Sequence, residues 1–279
     1  VWAFPSRVLT YDQTLGAMRY LASRIASDYK QCGLTGHPVD ITHRLEPELL
    51  LAGDDFTALH QWTEAVPKLA VLVVASAFDA ALHDAYGKLY GLNCFRTYTK
   101  EFLPNDLGHY LGAEFDGLYL ENFVTQEPKA RMPLYHLVGA LDPLTPADVA
   151  APVGDGLPEH LGEWVARDGL THLKIKLNGD DLDWDVERCV RVNAVAEGAQ
   201  RARGVTAWWY SLDFNERCKD VAYLIEFLKQ LKARTPAGYD RVQYVEQPTA
   251  RDLKAHPQNK MHAAAKLKPV VIDESLLDL

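Results

Sequence analysis

The stretch His172-Leu173-Lys174-Ile175-Lys176-Leu177 alternates strictly. In an extended chain Leu173, Ile175 and Leu177 share one face, while His172, Lys174 and Lys176 share the other. Six residues at period two predict a strand whose apolar side meets packed helices and whose lysines face the opposite way. Further short apolar runs at 134–138, 206–212, 243–246 and 270–273 predict four more strands, and the segments 185–198 and 220–232 between them carry helical periodicity. Alternation of this kind implies a parallel sheet with helices outside it.

Doubly wound sheets and (β/α) barrels both satisfy that pattern. The barrel is favoured because four strands in succession finish on an ionisable residue, Lys176, Asp213, Glu246 and Asp273, at the carboxyl end where barrel sites lie. A doubly wound sheet gathers its site at one switch point. Residues 133–279 number 147, whereas a whole barrel takes about 250. The expectation is therefore an α/β chain holding five of eight strands of a barrel that is incomplete at its C-terminal side.

The first third reads as mostly helical. Residues 14–29 have apolar positions at helical spacing, and a longer run over 67–90 starts at Pro67 and is ended by Gly91. Between them Gly33-Leu34-Thr35-Gly36-His37-Pro38 predicts a mobile loop. The stretch 96–131 has no clear period and reads as a linker or insertion.

With 279 residues, 48% hydrophobic and 24% charged, the chain has the profile of a soluble globular protein. A net charge of −9 without clustered Lys or Arg argues against nucleic-acid and anionic-membrane partners and for a small-molecule substrate. Cys32, Cys94, Cys189 and Cys218 form no C-x-x-C pair, so they read as reduced thiols in a cytoplasmic protein. No run of about 18 apolar residues and no charged leader is evident. The chain opens on Val1-Trp2-Ala3-Phe4-Pro5 with no initiator Met, which leaves its natural start open.

Two neighbouring ammonium groups disfavour each other's protonation, so Lys174 and Lys176 are expected to include one lysine of lowered pKa that can act as a base. Asp213, Glu246 and Asp273 are 33 and 27 residues apart, the length of one strand-helix unit, so each is expected at an equivalent strand tip. Adjacent strands lie about 4.8 Å apart, close enough for three carboxylates to share one ion. Hard oxygen ligands favour Mg2+ or Mn2+ over zinc. Helix capping is the plainer reading of any one of these acids, but it does not account for all three at one period beside a lysine pair. A divalent cation contacting a substrate carboxylate stabilises charge on its oxygens while a neutral lysine takes the adjacent carbon-bound proton. No Walker loop, G-x-G-x-x-G, H-E-x-x-H or G-x-S-x-G is present. His172, Asp79, His83 and Asp84 read as structural polar groups, and Trp208 and Trp209 as wall packing, with a pocket role as the lesser alternative for Trp209, which shares the face of Asp213.

Lys174-Ile175-Lys176, Asp213-Phe214-Asn215, Glu246-Gln247-Pro248 and Asp273-Glu274-Ser275 together resemble the enolase superfamily. Within its mandelate racemase group the similarity is greatest to the muconate lactonizing enzyme and dipeptide epimerase branch. Ala75-Ser76-Ala77-Phe78-Asp79-Ala80-Ala81-Leu82-His83-Asp84 is similar to the helix that ends that family's capping domain. The resemblance implies a barrel of the modified TIM type over 132–279, preceded by a mostly helical α+β capping domain over 1–130. It implies Asp213, Glu246 and Asp273 as ligands of Mg2+ (or Mn2+), Lys176 as acid/base and Lys174 as its tuning or polarising partner. Asn215 and Glu274 would support the metal shell. Gly33, Leu34, Thr35, Gly36 and His37 would lie over the mouth and select a small carboxylate substrate, in a homo-oligomer. The family's first capping strands would precede Val1, and its opposite sixth-strand lysine would follow Leu279. The expected reaction is racemisation, epimerisation or cycloisomerisation. A dehydratase or syn-eliminating lyase is its near rival. A non-catalytic fragment and a Schiff-base aldolase barrel using Lys174 or Lys176 are the more distant ones, the last leaving the three periodic carboxylates unaccounted for.

Overall fold

The computed structural model describes residues 2–125 and 127–276. The expected domain limits at Val1 and Leu279 lie outside the described residues. The chain divides between Ala130 and Arg131 into two compact units.

The first unit is built on three helices, α1 (Tyr11–Gln31), α2 (Pro38–Leu59) and α3 (Lys68–Tyr90). Thr10 starts α1 with a capping box, its hydroxyl accepting from Gln13 N–H while the Gln13 side chain returns to the Thr10 N–H. Leu21 and Ile25 of α1, Leu45, Leu49 and Phe56 of α2, and Ala70 and Val71 of α3 form its core. Helix α3 stops at Gly91, whose φ of +65° is a left-handed cap. Among the described residues this unit has no strand. By length and composition α3 is apolar enough to cross a membrane, which corrects the reading that no stretch qualifies. It nevertheless carries Asp79, His83, Asp84 and Lys88 and buries Ala70, Val71 and Ala75 against its neighbours.

The stretch 96–131 is made of short turns and α4 (Leu107–Leu111). It is tied to α2 through Asp40, which accepts from Asn105 Nδ2 at 2.9 Å and from the Tyr110 hydroxyl. Leu103 and Leu107 are buried. It is thus packed onto the helices rather than free.

The second unit carries a five-stranded parallel sheet in sequential order, β1 (Tyr135–Val138), β2 (His172–Lys176), β3 (Trp209–Asp213), β4 (Val242–Glu246) and β5 (Val270–Val271). Helices α5 (Leu161–Asp168), α6 (Leu182–Ala202), α7 (Val221–Arg234), α8 (Pro236–Arg241) and α9 (His262–Ala265) lie between or after these strands. Leu173, Ile175, Tyr210, Leu212 and Val245 meet Val165, Val192, Ala196, Leu224, Phe227 and Leu228 in one apolar core. The alternation read at 172–177 is therefore realised, with leucine and isoleucine buried beneath the helices and the lysines on the other face.

Two strands differ from expectation. β3 runs Trp209–Asp213 rather than 206–212, and β5 pairs over two residues only. Trp208 precedes β3 and is buried, with its indole N–H on the Tyr210 hydroxyl at 2.7 Å and Arg241 stacked 3.5 Å from its ring centroid. Trp209 faces the other way and is 37% exposed, so the packing role expected of both holds for Trp208 alone. Among the described residues all four cysteines are free.

Candidate active site

Parallel pairing sets Lys176 opposite Asp213, Asp213 opposite Glu246, and Glu246 opposite Val271. Paired residues on neighbouring strands point to the same face, so Lys176, Asp213 and Glu246 form a row across three strand tips. Lys174 sits one pleat deeper on that face and reaches up between the acids. Its Nζ lies 2.5 Å from Glu246 Oε1 and 3.0 Å from Asp213 Oδ2. Lys176 Nζ also donates to Asp213 Oδ2 and, at 3.0 Å, to Asn215 Oδ1. Asp213 is 1% exposed, and it further accepts the Asn215 N–H at 2.8 Å.

For Lys174 this network works against the expected lowering. Burial pushes the Lys174 pKa down, but hydrogen bonds and charge from Glu246 and Asp213 outweigh it and hold Lys174 above the ordinary lysine range. The neighbouring ammonium of Lys176 is compensated by carboxylates and does not decide the outcome. Lys174 is therefore held in its charged form near neutral pH.

The backbone around the tips is strained. Of four non-glycine residues with positive φ among those described, Asn215 (+48°), Glu216 (+67°) and Gln247 (+32°) lie just past β3 and β4. Such conformations cost about 1–3 kcal/mol each and persist where surrounding bonds over-determine them. Here Glu216 N–H donates to Gln247 O at 2.9 Å, and the Glu216 carboxylate is gripped by Arg251 through Nε at 2.7 Å and Nη2 at 2.6 Å. Glu216 and Arg251 were not found by sequence reasoning, since their spacing has no period, and Gln247 stood in a motif without a role of its own. The only signal was the position of Gln247 directly after Glu246.

Asp273 departs from the row. It follows the partner of Glu246, Val271, by two residues, because the β5 ladder ends at Val271. Spacing of about one strand-helix unit thus did not give an equivalent place. Its N–H is held by Gln247 Oε1 at 3.0 Å, while its side chain is exposed. Glu274 turns inward, is 2% exposed, and leaves Oε2 without a hydrogen-bond partner. Burial raises its pKa, and the charges of Asp273, Glu216 and Asp213 push it the same way.

Among the described residues no three acidic, histidine or cysteine side chains are gathered closely enough to hold a metal. The donor chemistry nevertheless suits a hard cation. Asp213 and Glu246 converge on one point, where the Lys174 ammonium stands in for a positive ion, and the partnerless Glu274 oxygen lies in the same acidic neighbourhood. Two of the three expected ligands are therefore brought together, and the third, two residues past the end of the β5 ladder, is exposed.

His172 is partly buried with its ring edge-on to Tyr135, and burial lowers its pKa. In the loop of the first unit, Gly33 and Gly36 have φ of +61° and +138°. His37 is 2% exposed, and its Nδ1 accepts the Val39 N–H at 3.2 Å to cap α2. Its ring is thus engaged in packing and in capping α2. Asp79 accepts from the Thr42 hydroxyl at 2.6 Å, and His83 Nδ1 is 3.0 Å from the Tyr98 hydroxyl. Asp84 makes an exposed pair with Lys88.

No family model and no curated relative matches the sequence. Among solved structures the chain is similar to an enolase from Bradyrhizobium complexed with magnesium and mandelic acid, at 20% identity over 92% of this chain and 51% of that one, with a TM-score of 0.49. It is similar to a muconate lactonizing enzyme from Pseudomonas putida at 18% identity, over 71% and 40% of the two chains, with a TM-score of 0.37. A muconate cycloisomerase from Pseudomonas fluorescens matches at 17% identity over 38% and 25%, with a TM-score of 0.27. The chain thus spans about half or less of the length of these structures. These solved structures, an enolase, a muconate lactonizing enzyme and a muconate cycloisomerase, are what the chain is similar to.

Proposed function

We propose that this chain is the part of an enolase-superfamily enzyme, of the mandelate racemase and muconate lactonizing type, that abstracts the proton beside a substrate carboxylate. The observation that carries the reading is the row Lys176, Asp213 and Glu246 at three adjacent strand tips, with Lys174 bridging the two acids. The sequential strand order and the gathering of the apolar core on one face support closure as a (β/α) barrel, since a doubly wound sheet reverses its order at a switch point.

A Mg2+ or Mn2+ ion held by Asp213, Glu246 and Asp273 would supply Lewis-acid stabilisation of the charge that develops on the substrate carboxylate. Lys176, when neutral, takes the α proton: the C–H bond breaks, an N–H bond forms, and the electron pair moves toward the carboxylate oxygens. Asp213 and Asn215 hold Nζ in place and stabilise the ammonium that results. Lys174 keeps its charge and adds a fixed positive group on the same face. Return of a proton to the opposite face gives racemisation or epimerisation, and ring closure gives cycloisomerisation. Expulsion of a β substituent from the same carbanion gives the dehydratase or lyase outcome.

The test is exchange of the α proton in D2O with Mg2+ across a panel of 2-hydroxy, 2-amino and unsaturated carboxylates. Magnesium-dependent exchange in at least one, lost in Lys176→Ala, supports the reading. Absence of exchange across the panel, or exchange unchanged in Lys176→Ala, overturns it. Exchange with retention of the substrate skeleton assigns isomerisation, and appearance of an eliminated product assigns the lyase.

A further inference from the structure

Asp273 stands beyond the last paired residue of β5, so the sheet ladder does not fix it. Bonds at the margins of the β4–β5 ladder run from Val245 N–H to Pro269 O and from Gln247 N–H to Val271 O, at 2.9 and 3.0 Å, and among the described residues the pairing ends at Val271. What continues it is a side chain. Gln247 Oε1 accepts the N–H of Asp273 at 3.0 Å and of Ser275 at 3.1 Å. Its Nε2 donates to Ser275 Oγ at 2.8 Å and to Thr249 O at 3.1 Å, and the Ser275 hydroxyl passes on to Arg251 O at 2.8 Å.

Both acceptor and both donor positions of the amide are therefore used, which fixes its orientation: a flip would set its NH2 against two N–H groups. The residue is 4% exposed and its φ is +32°. Its own carbonyl receives Glu216 N–H from the β3 tip. One residue thus ties the ends of β3, β4 and β5 together, and a shorter Asn side chain, lacking one methylene, would not span the same gap.

We infer that Gln247 is a positioning residue, which through its side-chain amide sets where Asp273 stands relative to Asp213 and Glu246. This rests on the proposed reading of those three acids as one cation site. Partners that orient ligands are worth on the order of 10–100-fold in metal affinity. Gln247→Met keeps size and apolar stem and removes every side-chain hydrogen bond. Gln247→Glu keeps the acceptor for the Asp273 and Ser275 N–H groups.

The experiment uses the full chain, with amide hydrogen exchange at 273–275 in the metal-free protein and Mn2+ alone as the probe by electron paramagnetic resonance. In Gln247→Met, exchange at Asp273 and Ser275 should accelerate at least about tenfold and Mn2+ affinity fall by about 10–100-fold. Gln247→Glu should retain protection of the two amides. If wild type binds Mn2+ and Gln247→Met binds it equally tightly, the inference is overturned while the cation site stands. Unchanged exchange at the two amides overturns it as well. A wild type that binds no Mn2+ sinks the cation reading and the inference with it.

Discussion

Replacing Lys174 by Met removes the one ammonium that bridges Asp213 and Glu246 while keeping most of the buried stem. In the native chain Nζ lies 3.0 Å from Asp213 Oδ2 and 2.5 Å from Glu246 Oε1, and the Asp213 side chain is 1% exposed. Without it, two carboxylates in register on adjacent strands face each other at roughly 5 Å, and at an effective dielectric of about 20 their repulsion is about 3 kcal/mol. Removing one partner of a buried pair costs a similar amount, about 3–5 kcal/mol. Lys176 remains on Asp213 and Lys174 is partly solvated, so the lower figure, about 3 kcal/mol, is expected at pH 7. For a unit of this size that is roughly 6–12 °C in the unfolding midpoint, read by circular dichroism without divalent ions. The sign with pH follows from the raised Lys174 pKa: its contribution is fully present below the ordinary lysine value of 10.5 and lost as pH rises through the higher folded value. The deficit of the variant should therefore persist from pH 7 to about 10 and narrow only in stronger alkali. Millimolar Mg2+ should raise the midpoint of Lys174→Met more than that of wild type, since the ion no longer competes with an ammonium. A variant as stable as wild type at pH 7, with coincident curves, would refute the bridging role.

Three other outcomes are expected. His37 is held near a pKa of about 4 by burial, so stability present above pH 6.5 is lost as pH falls through 4, by up to about 3 kcal/mol, and acid titration of His37→Gln should show a shallower loss. Leu212→Ala, at a fully buried position of β3, should cost about 2–5 kcal/mol in urea unfolding with an unchanged m value. Gly179→Ala should cost about 2 kcal/mol or more by the same assay, because Gly179 has φ +74° and a Cβ there would sit 2.8 Å from the Arg217 carbonyl carbon and Cys218 N.

The parts legible in the sequence were those where one period dominates. Alternation in 172–177 gave β2 and the face of its lysines, because burial on one side of a strand leaves a mark at every second residue. Apolar spacing gave α1, α3, α6 and α7 to within a few residues. Helix α2 was not singled out, since Pro47 and Gly53 interrupt its pattern, yet it forms because Leu45, Leu49 and Phe56 pack into the helical core. The row of Lys176, Asp213 and Glu246 was foreseeable from strand tips one unit apart. Asp273 was not, because counting residues cannot tell where a ladder stops. The raised Lys174 pKa needed the positions of two acids 39 and 72 residues away in the chain. Gln247 stood in the sequence only as the middle of Glu246-Gln247-Pro248, and its bonds to three segments needed the fold.

The central claim, that Asp213 and Glu246 form a divalent-cation site facing the lysine pair, is tested most directly by calorimetric titration of Mg2+ into the full chain and into the Asp213→Asn, Glu246→Gln double variant. One saturable site in wild type, absent in the double variant while the fold is retained by circular dichroism, is the predicted result. Equal Mg2+ binding by both proteins, or none by wild type, would contradict it.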